Sequence, residues 1–129
     1  MATISRFEDL EIWQYARQQA NDLNKIYTEG AFSKDYDLRN QINASSGSVM
    51  DNIAEGFERS GNKEFIHFLL IANASNGEVR SQLYRAADRK HLTSEKFDEL
   101  ILKNESISKK VTAFIKYLKE SEKKGFRYE

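Results

Sequence analysis

Apolar residues at Phe7, Leu10, Trp13, Ala16, Ala20, Leu23 and Tyr27 advance by three or four positions, the spacing of one helical face. The same step recurs three more times. Leu38, Ile42, Ser45, Val49, Ile53 and Phe57 mark a second helix. Phe65, Phe68/Leu69, Ala72, Val79, Leu83 and Ala86 mark a third, and Phe97, Leu100/Ile101, Ile107, Val111, Phe114/Ile115 and Leu118 a fourth. No strand-like alternation competes anywhere. Ser5-x-x-Glu8 reads as a capping box, Gly30 as a stop, and Ser33 or Asp35 as a cap for the second helix. Ser60-Gly61-Asn62 separates the second helix from the third, Thr93-Ser94-Glu95 opens the fourth, and Gly125 closes it. The predicted helices span roughly 6–29, 35–59, 62–90 and 94–123 of a single domain, 1–129. Short links between long helices force antiparallel neighbours, so the expected fold is all-α, an up-down-up-down four-helix bundle. The double-width stripes predict a fat core or, less commonly, a second buried face and hence an oligomer.

Composition narrows the function classes. The chain has no proline to interrupt its helices, and no cysteine for disulfides, thiolate catalysis or zinc–thiolate sites. No apolar run approaches the ~20 residues that span a bilayer. Met1-Ala2-Thr3-Ile4-Ser5-Arg6 lacks the apolar centre of a signal peptide. The expectation is a cytoplasmic protein with no membrane partner. Formal net charge is zero, so any nucleic-acid binding must come from local basic patches.

Asn52-Ile53-Ala54-Glu55-Gly56-Phe57-Glu58-Arg59 stands out, because Asn and Gly are poor helix formers placed inside a periodic segment. With Phe7-x-Asp9-Leu10-x-Ile12-Trp13-Gln14, Leu38-x-x-Gln41-Ile42 and Glu64-Phe65-Ile66-x-Phe68-Leu69-x-Ile71-Ala72, it resembles the four helix bundle protein family. That family is also called the 23S rRNA-intervening sequence protein family, and the accessory protein of diversity-generating retroelements is a relative. The resemblance runs from Phe7 to about Leu118. It implies an up-down bundle, a ring-shaped homopentamer and no enzymatic activity or cofactor. For the retroelement relative it implies binding to nucleic acid and to a reverse transcriptase. The chain departs from the family pattern at Asn43-Ala44-Ser45-Ser46 and at Ala72-Asn73-Ala74-Ser75, where basic positions are lost.

The candidate residues fall into groups. Asn52, Glu55, Gly56 and Arg59 are the family motif and an expected interface element. Within it, Glu55 and Arg59 form an i,i+4 pair and Asn52 is expected to pair across a helix contact. Gly47, Gly56 and Gly77, with Ser45, Ser46, Ser48, Ala72, Ala74 and Ser75, predict a close approach of the second and third helices. Glu64-x-x-His67 and Asp88-x-x-His91 echo a bundle di-metal motif. They lie more than about 30 Å apart on one helix, so they cannot share a metal within a protomer. Arg80, Arg85, Arg89 and Lys90 load the end of the third helix. Lys109, Lys116 and Lys123 repeat every seven residues on the fourth, with Lys119, Lys124 and Arg127 nearby and Tyr117, Phe126 and Tyr128 able to stack on bases. In an antiparallel bundle the two basic clusters fall at opposite ends. The sequence thus points to a non-enzymatic, oligomeric binding protein that contacts RNA or DNA through basic residues shared by subunits. The alternative is a scaffold for a protein partner with no nucleic-acid binding.

Overall fold

The computed structural model describes residues 4–123. Its helices are α1 (Glu11–Tyr27), α2 (Tyr36–Glu58), α3 (Asn62–Asp88) and α4 (Ser94–Lys123), with short 3-10 turns at Phe7–Asp9 and Gly30–Lys34. The first helix therefore starts later than its periodicity suggests. Leu10 is extended (φ −70°, ψ 127°) and almost wholly buried, so the chain breaks there to send this side chain into the core. Glu8 pairs with Arg6, and no side chain caps the 3-10 turn, so the Ser5–Glu8 capping box does not form.

At its other end α1 stops at Tyr27, before Gly30, and Thr28 Oγ1 donates to the Asn24 carbonyl at 2.6 Å. Gly30 (φ 60°) instead starts the second 3-10 turn, which folds Phe32 into the core. Asp35 holds the N-cap position of α2 without capping it through its side chain. Thr93 does cap α4: its Oγ1 accepts from the Lys96 amide at 3.1 Å. Gly61, at φ 88°, makes the sharp α2–α3 corner that a side chain would resist. Gly125 lies outside the described residues.

Contacts along the seams fix the helix directions. Asn62 at the start of α3 reaches the Leu118 carbonyl near the end of α4, while Tyr84 meets Phe97 at the opposite end. Gln82 bonds Ser45 and Gly56 abuts Phe68, so α2 and α3 are antiparallel. Lys110 pairs with Glu11 and Lys103 with Asp22, so α4 and α1 are antiparallel too. Tyr27 at the end of α1 bonds Asn43 in the first half of α2, which completes the up-down-up-down ring of neighbours.

The core is one cluster drawn from all four helices, with Leu23, Ile42, Ile53, Leu69, Leu83, Ile107 and Leu118 essentially sealed from solvent. The wide stripes serve this core. Leu69, Leu100 and Ile115 are buried, and Ile101 and Phe114 pack half-buried against them. Among the described residues no helix is long and apolar enough to cross a membrane.

At Gly56 α2 and α3 come close together. A Cβ built there would lie 2.8 Å from Phe68 Cβ and 3.0 Å from Phe65 Cδ1. Gly47 and Gly77 face open space, with nothing within 4 Å of such a Cβ, so neither serves the close approach expected of it. The serines do: Ser48 Oγ and Ser75 Oγ are 2.9 Å apart, and Gln82 Nε2 donates to Ser45 Oγ at 3.0 Å.

Candidate functional site

The family motif lies on the last two turns of α2. Asn52 does not itself cross to another helix. Its amide donates to the Ser48 carbonyl and hydroxyl at 2.8 and 2.9 Å, and Ser48 makes the crossing to Ser75. Glu55 and Arg59 form the expected pair at 3.4 Å, with both side chains about half exposed. Arg59 also lies 3.8 Å from Glu64 and 5.0 Å from the Phe68 ring centroid, so it clamps the corner between α2 and α3. At that exposure each pair contributes only about 0.3–0.5 kcal/mol. Gly56 is buried against Phe65 and Phe68, so this block builds the α2–α3 seam.

The basic cluster at the end of α3 is largely spoken for. Arg80 donates to Asn104 Oδ1 (3.2 Å), Arg85 to Gln41 Oε1 (2.6 Å) and Arg89 to Asp35 Oδ2 (2.9 Å). Lys90 is exposed, in a left-handed turn at φ 62°. Each of these three arginines would give up an intramolecular partner to bind phosphate.

His91 joins the same cluster. Its Nε2 is 2.8 Å from Asp35 Oδ2, and its ring stacks on Phe32 at 4.8 Å and 17°. Its Nδ1 is buried with no partner among the described residues, which places the proton on Nε2, facing the carboxylate. His91 and then Arg89 pull the Asp35 carboxyl down from 3.8 to about 2. A depressed carboxyl contributes stability that is full above its unfolded value and is lost as pH falls through the folded one. Asp35→Asn should therefore flatten the loss of stability between about pH 4 and pH 2, read as the urea midpoint at each pH. An unchanged acid slope in the variant would show that this carboxylate does not carry it.

The fourth helix is different. Lys109, Lys116 and Lys119 are exposed, and none has an ion-pair partner among the described residues. Lys109 and Lys116, two turns apart, edge a shallow depression of about 340 Å³ floored by Ser108, Thr112 and Ala113. Lys63, which the sequence reading did not single out, is exposed at the start of α3, next to Asn62 and its bond to Leu118. Lys123 is the last residue of the helix. Lys124, Phe126, Arg127 and Tyr128 lie outside the described residues. Tyr117 is 44% exposed and edges against Phe114.

Among the described residues neither histidine belongs to a metal-holding group: His91 has Asp35 alone beside it as a ligating side chain. His67 is exposed beside Phe68, and among the described residues no group of three or more His, Asp or Glu could hold a metal ion.

The largest feature missed by sequence reasoning is a buried amide triad. Gln19 (α1) donates to Asn76 Oδ1 (2.9 Å), and Asn76 (α3) donates to the Asn104 carbonyl (2.9 Å) and Ser108 Oγ (2.8 Å). Asn104 (α4) donates to Gln19 Oε1 (2.9 Å), with Asn76 Oδ1 and the Asn76 carbonyl also within 3.1 Å. Asn76 and Asn104 are fully buried, and Arg80 caps the group from its edge. On its α1–α4 side Gln19 reaches a cleft that Lys103 and Asp22 also line, while Lys110, paired with Glu11, sits over the Tyr15 ring of the same cleft; Asp22 and Glu11 hold the two ammonium groups above their ordinary pKa.

Residues 8–113 match the family described as the 23S rRNA-intervening sequence protein. Among solved structures, the chain is similar to a protein of unknown function from the S23 ribosomal protein family of Bacteroides thetaiotaomicron VPI-5482. The two are 22% identical over 81% of this chain and 95% of that one, with a TM-score of 0.75. At that identity the likeness speaks for the fold. No curated protein matches the chain.

Proposed function

Because the chain belongs to the 23S rRNA-intervening sequence protein family, we propose that it is a non-enzymatic binding protein that holds RNA or DNA through the outer face of α4, with subunits of a homo-oligomer sharing that surface. The carrying observation is the contrast between the two basic clusters. Lys109, Lys116 and Lys119 are exposed and unengaged on α4, whereas Arg80, Arg85 and Arg89 are tied into the bundle. Lysines at a two-turn repeat, about 10 Å apart along the helix, can follow a phosphate backbone without giving up a folded-state contact. Lys63 extends the same end of the molecule. One protomer offers few such charges and no net charge, so repetition around an oligomer is what would raise the local potential.

Support for self-association comes from apolar side chains that the core does not use. Leu70 and Ile71 on α3 and Leu102 on α4 are 53%, 38% and 68% exposed. Ala74 is exposed beside the first two, and Gly77 faces open space. A pentamer, the state the family resemblance implies, predicts a mass near five times 15.0 kDa in light scattering with in-line chromatography. A clean monomer removes the shared surface.

Binding is tested with structured RNA and duplex DNA across a salt series. The expected result is micromolar or tighter binding at about 50 mM salt that falls linearly in log–log form. Lys109→Glu with Lys116→Glu should lose most of it, while Arg85→Glu with Arg89→Glu should lose less. The absence of binding at that salt would sink the nucleic-acid reading. The exposed apolar side chains of α3 and α4 would then favour the second reading, a scaffold for a protein partner.

A further inference from the structure

The cleft between α1 and α4 has a chemistry of its own. Its wall carries the Lys103–Asp22 ion pair at 3.4 Å, and Lys110, paired with Glu11 at 2.8 Å, lies 5.0 Å from the centroid of the Tyr15 ring that lines it. The cavity, of about 230 Å³, is walled by Tyr15 and Gln18 from α1 and by Ser106 and Ile107 from α4, with Gln19 at its back. An apolar cavity of about 150 Å³ accepts a benzene ring, so this one has room for a heteroaromatic ring system.

Two of the polar side chains lining it have no protein partner. Gln18 and the Ser106 hydroxyl make no hydrogen bond among the described residues. Gln19 Nε2 carries two hydrogens, of which the bond to Asn76 uses one. Gln19 is held in place by Asn76 and Asn104, so its free N–H is fixed before any ligand arrives. Donors and acceptors of amide and hydroxyl type thus converge on a mostly apolar hollow between helices of a bundle, the usual make-up of a small-molecule site.

Charge decides the ligand class. Lys103 in the wall and Lys110 over Tyr15 are already matched by carboxylates, so the cleft offers no spare cation for a phosphate. Asp22 is the sole carboxylate in the wall and is itself paired, so it is a poor metal site. Tyr15, 40% exposed and with Lys110 Nζ 5.0 Å from its ring centroid, supplies an aromatic surface.

We propose that the α1–α4 cleft binds a neutral, planar, hydrogen-bonding heterocycle of nucleobase size. Tyr15 and Ile107 supply its apolar walls, and Gln18, Gln19 and Ser106 read its edge. The site does not depend on the lysine face of α4: a free nucleoside would occupy it whether or not a polynucleotide binds elsewhere.

The test is a titration of the full chain, followed by NMR, with adenosine, guanosine, cytidine and uridine in turn, and with ribose as a control. At least one nucleoside should give saturable shifts centred on the Gln18 and Gln19 side-chain amides and the Ile107 methyls, with a dissociation constant below about 1 mM. Gln18→Ala, on an exposed side chain that the fold does not use, should weaken it several-fold. Ser106→Phe, which fills the cavity, should weaken it by about tenfold or more. The Lys109→Glu, Lys116→Glu chain should bind the nucleoside as before, which separates this site from the proposed polynucleotide surface. Shifts produced equally by ribose, shifts elsewhere on the chain, or no saturation with any of the four would overturn the proposal. Unchanged affinity in Gln18→Ala together with Ser106→Phe would overturn it as well.

Discussion

Asn104→Ala is expected to lower the unfolding free energy by about 3–5 kcal/mol, the largest single-residue effect outside the apolar core. Asn104 is fully buried, and its amide nitrogen is the donor to Gln19 Oε1 and to the Asn76 carbonyl. Its Oδ1 accepts from Arg80. Removing it leaves Gln19 Oε1 dry and unpaired at about 1–3 kcal/mol, and it also opens a cavity and takes the Asn76 carbonyl's second bond and the Arg80 anchor. Leucine would fill the volume and still leave Gln19 Oε1 without a partner, so Asn104→Leu should rescue little. The triad also predicts strong non-additivity. Once Asn104 is gone, Asn76→Ala should cost about 1–3 kcal/mol less than it does in the intact protein. Urea unfolding of the two single variants and the double variant measures this directly. Additivity to within about 0.5 kcal/mol would mean that the three amides do not act as one network.

The second large effect is at the α2–α3 seam. Alanine at an ordinary helical glycine stabilises by about 1 kcal/mol. At Gly56 the added methyl would lie 2.8 Å from Phe68 Cβ, an atom fixed to its own backbone, so the two helices must part. Overpacking of that kind costs about 1–3 kcal/mol. Gly56→Ala is therefore expected to destabilise by about 1–2 kcal/mol, and Gly56→Val, with its branched side chain, by more than about 3. Gly77→Ala is the internal control, since its new methyl meets open space. It should stabilise by about 0.5–1 kcal/mol. Thermal unfolding of the three variants separates the cases. A Gly56→Ala protein that melts above the parent would show that the close approach is not tight.

The fold was legible because its signal is redundant. Four runs at three- and four-residue spacing, short links and no proline all point to one architecture, and the structure follows them to within a few residues. The departures are local and have local causes. Leu10 breaks the first helix because its burial outweighs continuation of the turn. Ser5 and Glu8 have the spacing of a capping box, but Arg6 takes Glu8 first.

Spacing alone also misjudged the glycines. Gly47, Gly56 and Gly77 look alike in sequence, yet only Gly56 has a neighbouring helix against it. The arginines at the end of α3 read as a free patch because their partners, Gln41, Asp35 and Asn104, are 24 to 54 residues away. The amide triad did leave a trace. Gln19 falls between Ala16 and Leu23, Asn76 between Ala72 and Val79, and Asn104 between Leu100 and Ile107. Each is a polar residue on a core stripe. What the sequence could not convey is that the three stripes bring them to one point.

That meeting point carries information that apolar packing lacks. Leucine, isoleucine and valine stripes tolerate a helix sliding along its neighbour by one turn, since another apolar side chain arrives to fill the space. A one-turn slip of α1 would carry Gln19 about 5.4 Å from Asn76 and Asn104 and strand buried amides on three helices at once. The triad therefore works as a vernier: α1 must dock at one height against a partner helix 57 residues away and another 85 residues away. The same alignment seats Tyr15 and Gln18 opposite Ser106 and Ile107, so the shape of the α1–α4 cleft is inherited from three hydrogen-bonded amides beneath it.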